Sequence, residues 1–259
     1  MAAANRMALG WRVYGLGIIW LGLVGLVWGN FISGQSVPRD FPGYTALAYI
    51  AAVFLIAAGA GLEWRRTAAW AAGALVIYYA IVVFVMNGRL LPANYAQYGI
   101  YESLAIQLAV MLGAVIIFAS RAAIDAAVSA HAIRIARMTF GICAIVFGGA
   151  HFAYMNLTAP LVPAWLPPNQ VFWGYATGVF HIAAGLAILS GVQARLAAIL
   201  LTIMYASFTP LVHIPQLLAG HLGQFNWSEN GENITLTGVA WLVADSLAGR
   251  AGGNSRAIG

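Results

Sequence analysis

Three histidines in the second half of the chain, His151, His181 and His213, lie within long apolar runs. Ionisable side chains inside membrane-spanning segments are rare, and they usually face the interior of a helix bundle or a water-filled cavity. Beside a carboxylate, histidine can give and take protons near neutral pH, which is what the reduction of a quinone to a quinol requires. The histidines are therefore the first candidates for chemistry.

The apolar runs on either side of the histidines place all three in the outer half of the membrane, close to a glutamate and several aromatic residues. The predicted pocket comprises His151, His181, His213, Glu232, Tyr154, Trp173 and Tyr205. A lipophilic small molecule such as a quinone is one expected ligand. Two alternatives are haem between two histidines, and zinc, copper or iron held by the imidazoles and Glu232. A third is that each histidine only bonds a neighbouring helix. The spacing matches no short ligand motif, so no metal site is predicted and the cofactor stays open.

A further charged residue lies at the other end of the last apolar run. Asp245 falls in the inner half of that run, where it can pair with Arg195. An ion pair that holds the bundle together is the preferred interpretation over a proton relay.

The composition identifies the broad class of protein. Hydrophobic residues make up 62% of the 259 residues and charged residues only 7%, whereas a soluble domain has about 25% charged residues. The chain is therefore expected to be an all-α integral membrane protein. All twelve basic residues are arginines, and they form no basic stripe, so nucleic acid is not an expected partner. The lone Cys143 cannot form a disulfide within the chain.

Eight segments have the length and apolar character of membrane-spanning helices. They are 13–31, 45–62, 67–86, 102–119, 138–155, 172–190, 194–212 and 232–248. Ten of the twelve arginines then fall on one side, and only Arg39 and Arg89 fall on the other, where Glu229 and Glu232 are also expected. By the positive-inside rule, both termini are predicted to be cytoplasmic, and the expected location is a bacterial inner (plasma) membrane.

The first half of the chain is a divergent copy of the second. Residues 49–59 match 175–185 at an offset of 126, as do Tyr79 with Tyr205 and Asn87 with His213. Asn30 is paired with His151 at an offset of 121, and Glu102 with Glu232 at an offset of 130. Because each half has an even number of spans, the halves are predicted to be two parallel four-helix modules. The expected units are 1–120, a cytoplasmic connector at 121–137, and 138–259.

The second half also resembles a known family. Its outer loop, 159–168, reads Ala-Pro-Leu-Val-Pro-Ala-Trp-Leu-Pro-Pro, and a span containing His-Ile-Ala-Ala-Gly-Leu at 181–186 follows. A turn with Arg-Leu-Ala-Ala at 195–198, His-Ile-Pro at 213–215 and Trp-Leu-Val-Ala-Asp at 241–245 complete the order. Over about 138–248, this order resembles the DoxX-like family of small four-helix membrane proteins. The first half departs from this pattern in its outer loop and lacks the three histidines.

The resemblance implies a four-helix module, here duplicated, but carries no agreed set of catalytic residues. Members of the family include quinone-linked thiosulfate-oxidising subunits and assembly factors. We therefore expect either a binding or assembly component without catalysis of its own, or the membrane subunit of a quinone-linked oxidoreductase. A small-solute transporter is less favoured. The expected partners are the lipid bilayer, a lipophilic small molecule and a redox or assembly protein.

Overall fold

The computed structural model describes residues 2–248, with side chains described from residue 9 onward. Within this range, the regular elements are all helices. Seven of them are long and apolar enough to cross a membrane, so the protein is an all-α membrane protein. Arg250 and Arg256, which were expected on the cytoplasmic side, lie outside the described residues.

Eight long helices make up the bundle within residues 2–248. They are α1 (Ala2–Trp28), α2 (Tyr44–Leu62), α3 (Ala68–Ala80), α4 (Tyr98–Arg121), α5 (Ala126–Ala153), α6 (Gln170–Ser190), α7 (Ala194–Phe208) and α8 (Gln224–Ser246). Two of them, α3 and α7, continue through π-helical turns at Ile81–Asn87 and Thr209–His213. A short helix, Met155–Thr158, lies in the loop between α5 and α6, at the end of the bundle that the arginine pattern predicts to be outer and that is called the outer end below.

The fifth helix begins well before the predicted residue 138. Asp125 caps its N-terminus, because Oδ1 accepts hydrogen bonds from the backbone amides of Ala127 at 2.8 Å and Val128 at 3.1 Å. A carboxylate in this position satisfies amides that have no partner within the helix. Most of the predicted connector at 121–137 is therefore the first part of α5, and only residues 122–125 link the two helices.

The eighth helix also begins earlier than predicted, at Gln224 rather than at residue 232. Glu229 lies inside this helix rather than in an outer loop, and Glu232 lies two turns from its start rather than at its start. α8 is not among the seven apolar helices, yet most of its residues are buried, including Ser228, Asn230 and Glu232. It packs against α1, α4 and α7. Its polar side chains face protein rather than lipid, which hydropathy does not detect.

The helices form a closed ring in which each contacts its neighbours in the chain and α8 returns to α1. The centre of the ring is closed by contact between α4 and α8. The buried core of large side chains includes Tyr14, Tyr79 and Phe140. This arrangement places α5, α6 and α7, which carry the three histidines, side by side.

Small residues allow the closest helix crossings, and the same crossings recur 126 residues apart. A Cβ on Gly59 would lie 2.8 Å from the carbonyl oxygen of Gly15, and one on Gly141 would lie 3.0 Å from that of Gly185. Such small-residue contacts are the common way for membrane helices to pack closely. They fix α1 against α2 and, in the same manner, α5 against α6.

Candidate functional site

Two of the three histidines lie ring against ring at the crossing of α5 and α6. The ring centroids of His151 and His181 are 5.1 Å apart, with an angle of 31° between the ring planes. Gly148 and Gly178 make this possible, because a Cβ on Gly148 would lie 2.6 Å from the carbonyl oxygen of Gly178. His181 is buried, with 2% of its surface exposed, whereas His151 is half-buried near the outer end of α5.

An aromatic cage surrounds His181. The ring of Tyr205 on α7 lies 5.4 Å from it, that of Phe147 lies 6.3 Å away, and that of Phe208 lies 6.5 Å away. The hydroxyl of Tyr205 is buried without a hydrogen-bond partner among the described residues. A buried polar atom without a partner is uncommon and calls for a functional explanation.

A hydrogen bond to Thr177 sets the tautomer of His181. His181 Nδ1 lies 2.8 Å from the carbonyl oxygen of Thr177. A carbonyl only accepts, so Nδ1 carries the proton and Nε2 is the atom left to accept a hydrogen bond. The Thr177 hydroxyl donates to the carbonyl of Trp173 at 2.8 Å and lies 3.5 Å from His151 Nδ1. Thr177 thus contacts both histidines.

An apolar groove of about 660 Å³ runs between α6 and α7. Val162, Pro163 and Leu166 of the outer loop close one end, and Gln193 at the turn between the two helices marks the other. Trp173 lines the outer end and donates from Nε1 to the carbonyl of Pro167 at 2.8 Å. The volume falls within the range of small-molecule sites, and the lining suits a hydrocarbon chain.

Thr177 and Phe208 line this groove and also contact the histidine pair. The histidines do not line the groove themselves, since these two side chains stand between them and it. Thr177 and Phe208 are therefore the residues that link the groove to the histidine pair.

The structure does not bring the whole predicted pocket together. Three of its members, His151, His181 and Tyr205, are joined at one place. His213 lies in the π-helical turn after α7, and no described contact joins it to the pair. Glu232 accepts a hydrogen bond from Gln107 Nε2 at 3.1 Å on the α4 side of α8. Tyr154 packs against Tyr98 of α4, with the ring centroids 6.2 Å apart.

The structure places Glu232 against α4, apart from the histidine pair. The prediction placed Glu232 by depth alone, and depth does not tell which face of a helix a residue occupies. On α8, Glu232 and Asn233 are neighbours in sequence, yet Asn233 donates to the carbonyl of Tyr205 at 2.9 Å while Glu232 faces Gln107.

Burial raises the pKa of Tyr154, which lies just beyond the end of α5.

Sequence reasoning missed Thr177, Phe147 and Phe208 as parts of the site. Thr177 precedes His181 by four residues, the spacing at which helix residues share a face, and this was the available signal. Phe208 follows Tyr205 by three residues, so these two rings also share a face of their helix.

The other predicted pair, Asp245 and Arg195, occupies the last turn of α8 and the first turn of α7 at the inner end of the bundle. Their ion pair stays a prediction.

The geometry limits which cofactors fit. No group of three or more His, Cys, Asp or Glu side chains is placed to hold a metal ion within residues 2–248. Haem ligation by His151 and His181 does not fit either, because the two rings lie against each other and leave no room for an iron atom between them. The groove beside them fits an elongated apolar molecule instead.

Comparison with known proteins gives a family match without a function. Residues 140–224 match the model of a family described as a domain of unknown function (DUF8561). The match spans the part of the chain that contains the histidine pair and the groove. No curated protein and no solved structure matches the chain.

Proposed function

We propose that the second half of the chain binds a lipophilic quinone or a closely similar molecule. Its apolar tail would lie in the groove between α6 and α7, and its polar ring would lie at the outer end, against Thr177. One observation carries this proposal, namely that Thr177 both lines the groove and contacts His151 and His181. A hydrocarbon-lined groove next to a few convergent polar groups is the usual form of a site for a lipophilic ligand.

The histidine pair supplies what a quinone site needs beyond shape. His181 is fixed by its bond to the Thr177 carbonyl, so that Nε2 is an acceptor for a quinol hydroxyl, which would reach it once the Phe208 ring turned aside. The nearby Tyr205 hydroxyl, which has no partner among the described residues, is a second group able to exchange a hydrogen bond. In a quinone-linked oxidoreductase, this protein would be the membrane subunit that binds the quinone and handles its protons. A partner protein would supply the electrons.

Contacts that recur at an offset of 126 residues support placing the site in the second half alone. Gly22 lies against Ile56 in the first half, and Gly148 lies against Ile182 in the second half, each residue 126 positions after its counterpart. At this offset His181 corresponds to Leu55, a buried leucine, and His151 corresponds to Gly25 rather than to Asn30. We therefore propose two parallel four-helix modules and eight spans, with α8 the eighth, and a first module without the histidine site.

A membrane assembly factor of the DoxX-like type is the second candidate. It is supported by the outer loop at 159–168, whose Val162, Pro163 and Leu166 close the groove. In this role the groove would bind lipid or a partner helix without chemistry. The arginine distribution supports an inner-membrane location with cytoplasmic termini for both candidates, and a small-solute transporter has no specific observation in its favour.

Binding of a short-chain quinone and of its quinol, the latter under anaerobic conditions, to the purified protein tests the proposal by isothermal titration calorimetry. We expect saturable binding of both to the wild type. Because only the quinol has a hydroxyl that can donate to Nε2, His181→Leu should bind the quinol about tenfold more weakly, the effect of losing one hydrogen bond worth about 1.4 kcal/mol. Leucine suits this position because Leu55 occupies the corresponding position in the first half. The matched control is His131→Leu, an exposed histidine far from the groove.

Two results would contradict the quinone proposal. One is the absence of saturable quinone binding to the folded wild type. The other is a His181→Leu variant that unfolds as the wild type does and binds the quinol equally well. Loss of stability in His181→Leu with unchanged quinol affinity would instead favour the assembly factor, in which the histidine only packs.

A further inference from the structure

A second polar site lies between α4, α8 and the outer segment 29–43, and it contains none of the histidines. An open cleft of about 300 Å³ enters here from the outer end of the bundle. Backbone and polar side chains line it, among them Ser33, Gln35, Ser36 and Gln224. Its polar lining suits water and small hydrophilic solutes, in contrast to the groove between α6 and α7.

Gly34 lies between the cleft and the buried carboxylate of Glu232. Its φ of +80° is in the left-handed region, and a Cβ there would lie 2.7 Å from Gln107 Nε2 and 3.5 Å from Glu232 Oε1. Only glycine lets the chain lie this close, and the backbone of Gly34 therefore rests directly on the Gln107–Glu232 pair. Only the backbone of Gly34 therefore separates the open polar cleft from the buried carboxylate of Glu232.

Glu232 is buried at 4% exposure without a positive partner. Its hydrogen bond comes from Gln107 Nε2 at 3.1 Å, and no arginine forms an ion pair with it within the described part of the chain. The charged groups that interact with it are Glu229 on α8 and Glu102 on α4, and both are acidic. An ionised carboxylate out of water is costly unless a cation or a proton accompanies it.

The other elements around Glu232 bring no compensating charge. α3 contributes the phenol of Tyr79, and α1 contributes apolar Trp20 and Leu21 beside Gly231. Two arginines lie at the cleft, and both are exposed. The guanidinium of Arg39 lies 5.9 Å from the centre of the Tyr44 ring, and Arg89 donates from Nη2 to the carbonyl of Ser36 at 2.8 Å.

Neighbouring polar atoms are left without partners. Gln107 is 1% exposed, and its Oε1, on the same amide that contacts Glu232, has no hydrogen-bond partner among the described residues. The hydroxyl of the fully buried Tyr79 and Nε2 of Gln35, which lines the cleft, also have no hydrogen-bond partner among the described residues. Carboxylate, amide and phenol oxygens are hard donors of the kind that small cations prefer.

We propose that Glu232 is a cation-binding carboxylate, supplied from the outer side through the cleft above Gly34. The occupant is a single small cation, either a proton on the carboxyl or an alkali ion held by the carboxylate and, once the Gln107 amide turns over, by its oxygen. The site is independent of the quinone proposal, since it shares no residue with the histidine pair or the groove.

Labelling by dicyclohexylcarbodiimide tests this on the full-length protein in detergent. The reagent modifies protonated carboxyls in apolar surroundings, and peptide mass spectrometry locates the modified residue. In choline chloride, we expect Glu232 to be labelled and the labelling to fall as the pH rises. Sodium or potassium chloride at equal ionic strength then separates the two occupants: protection of Glu232 indicates an alkali ion, and no effect indicates a proton.

Three variants sharpen the result. Glu232→Gln should abolish the label at this position, and Glu63→Gln, which removes a carboxyl at the opposite end of the bundle, should leave it unchanged. Gln107→Leu removes the hydrogen bond that favours the ionised form, so its labelling should persist to higher pH. A folded wild type in which Glu232 stays unlabelled at every pH in choline, or is labelled equally at every pH and in every salt, would overturn the proposal.

Discussion

Adding one methyl group at Gly148 should separate α5 from α6 and disturb the histidine pair. A Cβ at this position would lie 2.6 Å from the carbonyl oxygen of Gly178 and 2.6 Å from Cγ1 of Ile182. It would also lie 3.1 Å from the Cβ of His181. Because one of these atoms belongs to the backbone, the clash cannot be relieved by a side-chain rotation alone.

Two opposing effects decide the magnitude for Gly148→Ala. Alanine in place of glycine in a helix interior gains about 1 kcal/mol of helix stability. Overpacking a close contact typically costs about 1–3 kcal/mol, and the upper part of that range applies because backbone must move. We therefore expect Gly148→Ala to lower the free energy of unfolding by about 1–2 kcal/mol.

Matched glycine variants in other helices separate the causes. In the first half, the new Cβ of Gly22→Ala would lie 2.7 Å from Ile56 Cγ1 and 2.8 Å from the Ala52 carbonyl oxygen. A similar loss of stability is therefore expected. Gly73→Ala meets only the edge of the Phe118 ring at 3.3 Å, which can rotate, so no loss is expected.

The assay is reversible unfolding in mixed micelles, combined with quinol titration of each folded variant. Gly148→Ala should weaken quinol binding and Gly22→Ala should not, because only the former moves the histidine pair. A Gly148→Ala protein as stable as Gly73→Ala would refute the described packing of α5 on α6.

Two further predictions concern the helix ends. Asp125→Ala should lower the free energy of unfolding by about 1 kcal/mol, the usual value of a helix N-cap, and Asp125→Asn should restore most of it; equal stability of all three proteins would contradict the cap. At the end of α2, burial raises the pKa of Glu63 although Arg12 opposes this. The protonated carboxyl is then the form favoured by folding, so the wild type should lose stability as the pH rises from the ordinary value to the raised one. The stability difference between Glu63→Gln and the wild type should grow over that pH range, and a difference independent of pH would show that Glu63 is not buried.

The fold class was predictable because the environment of most helices is lipid. Seven helices present enough apolar surface to be recognised by hydropathy alone. α8 was recognised only in its later half, since Ser228, Glu229 and Asn230 look like loop residues until the neighbouring helices that bury them are known. The start of α5 was missed for the related reason that Arg134 and Arg137 interrupt the apolar run after the Asp125 cap.

The candidate site was predictable only in part. The proximity of His151 and His181 follows from their depth and from the small residues that bring α5 and α6 together. Which face of α8 carries Glu232 could not be derived from depth, and its bond to Gln107 joins residues 125 positions apart. The groove depends on how far α6 and α7 diverge beneath the outer loop, which no local pattern encodes.

Filling the groove without touching the histidines tests the central proposal most directly. Ala183 lines the groove and is exposed, so Ala183→Trp should occupy the space of the tail and leave the core intact. Leu186→Trp, also on the outer surface of α6 but outside the groove, is the matched control. Calorimetric titration with a long-chain quinone should show binding to Leu186→Trp at wild-type affinity and none to Ala183→Trp. Equal affinity of the two variants would contradict the assignment of the groove as the quinone site.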